Sequence, residues 1–145
     1  MKNLTNVTTI EEFKVSDNII THFKINGETV GSFAATPTNV GKTQWEVEAA
    51  YWDQGEVYPI DSFNFIEGSY KNYLKYYIDK FMFYISLAHK STDKSTDDIE
   101  VKLDKLDNLL YTNRADMLGK HEKYYTISKP KQSNGKKIYS VKRSN

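Results

Sequence analysis

The hydrophobic pattern changes period once, near residue 69, and that change constrains the fold more than any other feature. From Tyr70 the apolar residues are Tyr70, Tyr73, Leu74, Tyr77, Ile78, Phe81, Tyr84, Ile85 and Ala88, spaced mostly three and four apart. Lys71, Asn72, Lys75, Asp79 and Lys80 fall on the opposite side of a helical wheel. An α-helix repeats about every 3.6 residues, so this spacing predicts an amphipathic helix over residues 69–89, with Ser69 as its N-cap.

Upstream the period is two. Ile19, Thr21, Phe23 and Ile25 alternate with Ile20, His22 and Lys24, and Asn26-Gly27 supplies the positive-φ pair of a tight hairpin turn. Residues 29–36 return as a second strand, ended by Pro37 and followed by a Gly-containing loop over 38–42. Residues 44–51 make a third strand, with Trp45, Val47, Ala49 and Tyr51 facing a core and Gln44, Glu46 and Glu48 facing out. A turn at Asp53-Gln54-Gly55-Glu56 leads to a short fourth strand over 57–60. Strands joined by turns this short form an antiparallel meander over residues 19–60, which the helix would cover.

The rest of the chain is read around this nucleus. Residues 1–18 carry Ile10, Phe13 and Val15 as anchors of an extended lead-in, or of a short helix around Ile10–Lys14. Residues 89–97 repeat Ser-Thr-Asp and hold no apolar side chain, which predicts an exposed loop. Ser95 followed by Asp98 resembles a capping box. It opens a second helix over 96–118, with an apolar stripe of Ile99, Leu103, Leu106, Leu110 and Met117 and a stop at Gly119. That stripe suits the chain's own sheet and a second copy equally well. Residues 119–145 hold Tyr124–Ile127 and Lys137–Val141, separated by Pro130 and Asn134-Gly135. They read as a basic β-hairpin, added to the sheet edge or partly mobile. The expected fold class is α+β in a single domain spanning 1–145: meander, two helices, C-terminal hairpin.

The catalytic constellations fall short on spacing or on structural context. With no Cys, zinc–thiolate sites, disulfides and thiol nucleophiles are excluded. His22, His89 and His121 fall in three different elements, and none has a second histidine one helical turn away. Asn39-Val40-Gly41-Lys42-Thr43 ends like a phosphate loop, but Thr36 stands where the earlier glycine belongs and the segment leads into a strand. Glu100-Val101-Lys102, with Asp97 and Asp98 just upstream, has the acid-x-Lys spacing of one nuclease superfamily, but on a helical pattern instead of a strand. Glu46, Glu48, Asp53, Glu56 and Asp61 could hold Mg²⁺ only if they converge. The reading is therefore a non-enzyme with no cofactor and no metal, the alternative being a metal-dependent nuclease built on these carboxylates. Residues 1–6 lack the apolar run of a signal peptide, and the most apolar stretch, 81–88, is about two helical turns, far short of a membrane span. The expected compartment is the cytoplasm, with no membrane partner.

Charge points to binding. The chain is +1 overall, but residues 119–145 hold 8 basic and 1 acidic side chains (+7), leaving 12 basic and 18 acidic (−6) in residues 1–118. Two surfaces are candidates. The acidic, aromatic one is Glu46, Glu48, Tyr51, Trp52, Asp53, Glu56, Tyr58 and Asp61, a hot-spot composition that would meet a basic protein groove. The basic one is Tyr124, Tyr125, Lys129, Lys131, Lys136, Lys137, Tyr139, Lys142 and Arg143, where cations would meet phosphates and rings would stack on bases. Only two Arg in the chain argue against base-specific readout.

With its acidic strand face (Glu46, Glu48, Asp53, Glu56), its basic end (Lys129 to Arg143) and its Cys-free, Lys/Asn/Tyr-rich composition, the chain resembles small phage and mobile-element proteins, among them anti-CRISPR inhibitors of Cas9-type nucleases. The resemblance is one of composition over the whole chain and carries no motif. It implies stoichiometric inhibition of a bacterial nucleic-acid enzyme by protein–protein binding. The alternative is a nucleic-acid-binding accessory protein that uses the basic C-terminal segment.

Overall fold

The computed structural model describes residues 7–65, 70–92, 98–118 and 124–143. The fold is α+β. Five strands come first: β1 (Thr8–Val15), β2 (Asn18–Ile25), β3 (Glu28–Pro37), β4 (Trp45–Asp53) and β5 (Glu56–Phe65). Helices α1 (Tyr70–Thr92), α2 (Ile99–Thr112) and α3 (Arg114–Leu118) follow, then β6 (Tyr125–Ile127), β7 (Lys131–Ser133) and β8 (Lys136–Arg143). All eight strands join one antiparallel sheet in the order β5-β4-β3-β2-β1-β8-β6, with β7 also paired to β8.

The meander stands as its alternation predicts, except that its last strand runs over Glu56–Phe65 instead of ending at residue 60, and the tight turns do what their residues permit. At Asn26-Gly27 both residues hold positive φ, 53° and 84°, the geometry that matches strand twist. Gln54-Gly55 and Asn134-Gly135 repeat it.

Residues 8–15 are extended, but as a full strand of the sheet, which corrects the short helix expected as the alternative there. Each residue of β1 pairs with β2, from Thr8↔Ile25 to Val15↔Asn18, and its first half also pairs with β8, from Thr8↔Val141 to Glu12↔Lys137. The sequence Thr-Thr-Ile-Glu-Glu-Phe-Lys-Val is weakly patterned by itself. Its strand conformation comes from ladder partners on both sides, one of them more than a hundred residues away.

One sheet face carries the core. Phe23, Phe33, Val47, Ala49 and Tyr51 are buried there beneath Phe81, Ile85 and Ala88 of α1. Phe81 sits 4.8 Å from the Phe33 ring and 5.5 Å from the Phe23 ring. The helix lies close over Gly31, where a Cβ would sit 3.3 Å from Phe81 and 3.4 Å from Ile85. Even a methyl group there requires these side chains to give by a few tenths of an ångström, and a larger side chain requires more. The stripe of α2 covers its own core: Leu106 is fully buried and Ile99, Leu103 and Leu110 pack around it.

The second helix differs from the expected span of 96–118. It begins after Asp98, which caps it by accepting from the Val101 N–H at 3.1 Å. It ends at Asn113, whose backbone N–H and side-chain amide both donate to the Leu109 carbonyl, so α3 is a separate turn. The expected exposed loop loses residues 89–92 to the last turn of α1. Ser69, Ser95, Gly119, His121 and residues 93–97 lie outside the described residues, as does the side chain of Met117.

Asp79 and Lys80, expected on the wet side of α1, are buried at 1% and 0% exposure. The C-terminal segment covers them. Asp79 accepts from the backbone N–H groups of Tyr124 (2.8 Å) and Tyr125 (2.9 Å). Lys80 lies 3.4 Å from the Asp116 carboxylate and 4.5 Å above the Tyr124 ring. Asp116 also accepts from the hydroxyls of Tyr84 (2.5 Å) and Tyr124 (2.6 Å). A charge this deep survives only with such partners. The hairpin is therefore anchored, with β8 zipped onto β1 and with Tyr124 stacked 3.7 Å from Phe83.

Partial burial opposes the charge on Asp116, but the Tyr124 and Tyr84 hydroxyls and the Lys80 ammonium outweigh it and hold the carboxyl below its ordinary range. A carboxyl lowered in the folded state stabilises fully above its unfolded pKa and loses that contribution as pH falls through the folded value. Asp116→Asn is thus expected to lower stability at neutral pH by about 3 kcal/mol and to flatten the acid side of a urea-denaturation pH profile. In the same assay Gly31→Leu is expected to cost about 1–3 kcal/mol through overpacking against Phe81.

Candidate functional site on the uncovered sheet face

The helices cover one face of the sheet, and strand alternation sends every second side chain to the other. Among the described residues no helix packs on that second face. Reading the register across it, one row runs Lys136, Phe13, Ile20, Ala34, Glu48, Ser62 over β8, β1, β2, β3, β4 and β5. The next runs Lys131, Ile138, Glu11, His22, Ser32, Ala50.

The centre of this face is aromatic and hydrogen-bonded. His22 meets Phe13 edge-on at 5.2 Å and Trp52 at 5.0 Å. The Trp52 indole N–H donates to Ser32 Oγ at 2.9 Å, which fixes the ring beside His22. Glu11 takes Lys24 at 2.7 Å and Lys136 at 3.2 Å, one on each carboxylate oxygen. Lys136 also lies 5.2 Å from the Phe13 ring centroid. The Lys24 hydrogen bond, aided by Lys136, holds the Glu11 carboxyl below its usual range against partial burial. Burial and the positive charge of Lys24 push the His22 imidazole below its ordinary 6.5, with Glu11 opposing.

The acidic, aromatic set divides between the two faces. Glu46 and Glu48 stand exposed on the open face, and neither has an ion-pair partner among the described residues. Trp52 joins them there. Tyr51 does not: it is 2% exposed in the core, opposite Gly31, because its parity in β4 is that of Val47 and Ala49. Asp53 lies on the helix side, 3.4 Å from Lys102 of α2. Glu56 and Tyr58 pair with each other near the β4–β5 turn, the hydroxyl donating at 2.7 Å. Asp61 sits opposite Ala49 on the helix-side register and accepts the Ser62 N–H at 2.9 Å. These five carboxylates therefore do not converge, and among the described residues no group of three or more His, Asp or Glu is placed to hold a metal ion.

The basic set divides as well. The rings of Tyr124 and Tyr125 are committed to the hairpin anchor, and Tyr139 packs on the core side opposite Ile10, so none of the three is a free stacking ring. Lys137 faces the helix side opposite Glu12, and Lys129 is exposed between β6 and β7. Lys131, Lys136 and Lys142 come up on the open face. Arg143 ends β8 opposite Tyr125, and its side chain lies outside the described residues.

No known protein family, curated protein or solved structure matches the chain. The site therefore rests on its own geometry. Sequence reasoning missed Glu11, Phe13, Ile20, His22, Lys24 and Ser32. The alternation of residues 19–25 already put Ile20, His22 and Lys24 on the side away from the core, but Glu11 and Phe13 were hidden once their strand was not recognised. No helix among the described residues is long and apolar enough to cross a membrane.

A base whose folded pKa is lowered destabilises the fold as pH drops below its unfolded value, because the unfolded chain takes the proton first. Stability is expected to be flat above pH 6.5 with respect to His22 and to decline below it. His22→Gln should remove that decline, measured as the difference between urea midpoints at neutral and mildly acidic pH.

Proposed function

We propose that the chain is a non-catalytic binding protein that docks a bacterial protein on the open sheet face, and that the partner is a nucleic-acid enzyme of the Cas9 type, inhibited stoichiometrically. The observation that carries this reading is the pairing of exposed, unneutralised Glu46 and Glu48 with a rigid aromatic centre of Phe13, His22 and Trp52. Rings fixed by neighbours lose little entropy on binding, and carboxylates beside them select a cationic surface. Grooves that hold nucleic acid are cationic, so a surface of this kind competes with the nucleic acid for its enzyme.

The accessory nucleic-acid reading keeps one observation in its favour, the emergence of Lys131, Lys136 and Lys142 on the same face, with Lys136 5.2 Å from the Phe13 ring. The two separate in one experiment. Purified protein is titrated into a Cas9-type cleavage assay and, separately, into labelled single-stranded DNA at two salt concentrations. Inhibition at a one-to-one ratio, lost in the Glu46→Lys/Glu48→Lys variant with its melting transition unchanged, is the expected result. Salt-steep DNA binding that Lys131→Glu/Lys142→Glu abolishes, without enzyme inhibition, would establish the alternative instead.

A further inference from the structure

We infer that the open face is self-complementary and that a second copy of this chain packs on it, sheet against sheet, about a twofold axis parallel to β2. The row through Ile20 carries the argument. Two strands to one side of Ile20 stands Glu48, with Ala34 between; two strands to the other side stands Lys136, with Phe13 between. Neighbouring strands are about 4.8 Å apart, so Glu48 and Lys136 lie at nearly equal distances, about 10 Å, from the Ile20 position.

A half-turn about an axis over β2 exchanges the two sides of this row. It sets each Glu48 against the second copy's Lys136, each Phe13 against Ala34, and Ile20 against Ile20. Opposite charges meet, and a large ring meets a methyl group, which is how packed layers interdigitate. The wider face has the same sense: Glu46 and Glu48 on the β4 side, Lys131, Lys136 and Lys142 on the β8 side. A single lateral division of charge is what an isologous contact needs, because every residue meets the partner's counterpart across the axis.

The area is sufficient. The six longer strands, of eight to ten residues each, present on the order of 800 Å² of face, the share each subunit contributes to a standard interface. The dimer occupies the surface assigned above to the partner enzyme, so the two compete. The inference uses that face but not the partner's identity, and it is measured on the chain alone, so either reading can fail without the other.

The test is sedimentation equilibrium of the full chain at micromolar concentration. The expected result is a species of twice 16.8 kDa. Glu48→Lys is expected to weaken the dimer roughly tenfold or more, and the Glu48→Lys/Lys136→Glu double reversal to restore it. Because Lys136 also pairs with Glu11, Ala34→Arg provides a second probe that leaves that pair intact; it should yield a monomer with unchanged circular dichroism. A wild-type monomer overturns the inference, and so does a dimer that Glu48→Lys and Ala34→Arg leave intact.

Discussion

Two consecutive backbone N–H groups, of Tyr124 and Tyr125, donate to a single buried carboxylate on α1, and the far third of the sheet depends on that contact. Asp79 fixes where β6 begins. From there β6 pairs with the end of β8, and β8 pairs with β1. Without this sequence of attachments β1 would be an edge strand, and Lys136 would not reach Glu11 and Phe13. The open face is thus positioned from the opposite side of the molecule, through a polar cluster that touches none of its residues.

That cluster shows why the sequence was legible in parts. The meander and α1 follow from spacing alone, since periods of two and of about 3.6 declare which side chains share a face. Asp79 and Lys80 obeyed the same rule and broke it. Their positions on the wheel are those of a solvated face, and a later segment buries them. Helical periodicity records the first surface a helix packs on and has no symbol for a second. Tyr51 and Trp52 make the complementary point: adjacent in sequence and both aromatic, they end on opposite faces because parity in β4 decides, and composition does not.

β1 was the costliest omission for reading the site. Glu11 and Phe13, which hold Lys24, Lys136 and the edge of His22, sit on it, and its strand conformation is imposed by partners at both sides. Once it is in place the two candidate surfaces cease to be rivals drawn on separate parts of the chain. Glu46, Glu48 and Trp52 from one set and Lys131, Lys136 and Lys142 from the other lie on one plane, separated by a few strands. The charge asymmetry along the sequence becomes, in part, a lateral asymmetry across a sheet.

The pairing of β1 with β8 also orders events in time. Glu11 and Lys136 are 125 residues apart, so the ladder between their strands closes only after residues 136–143 have been synthesised. Until then β1 shows bare N–H and C=O groups along one side, next to Ile10 and Phe13. Long-range closure of this kind is slow, and an open strand edge is the template on which chains join one another. The lysines of β8 then have a role before any partner arrives: they belong to the strand that finally caps the most adhesive edge of the growing chain.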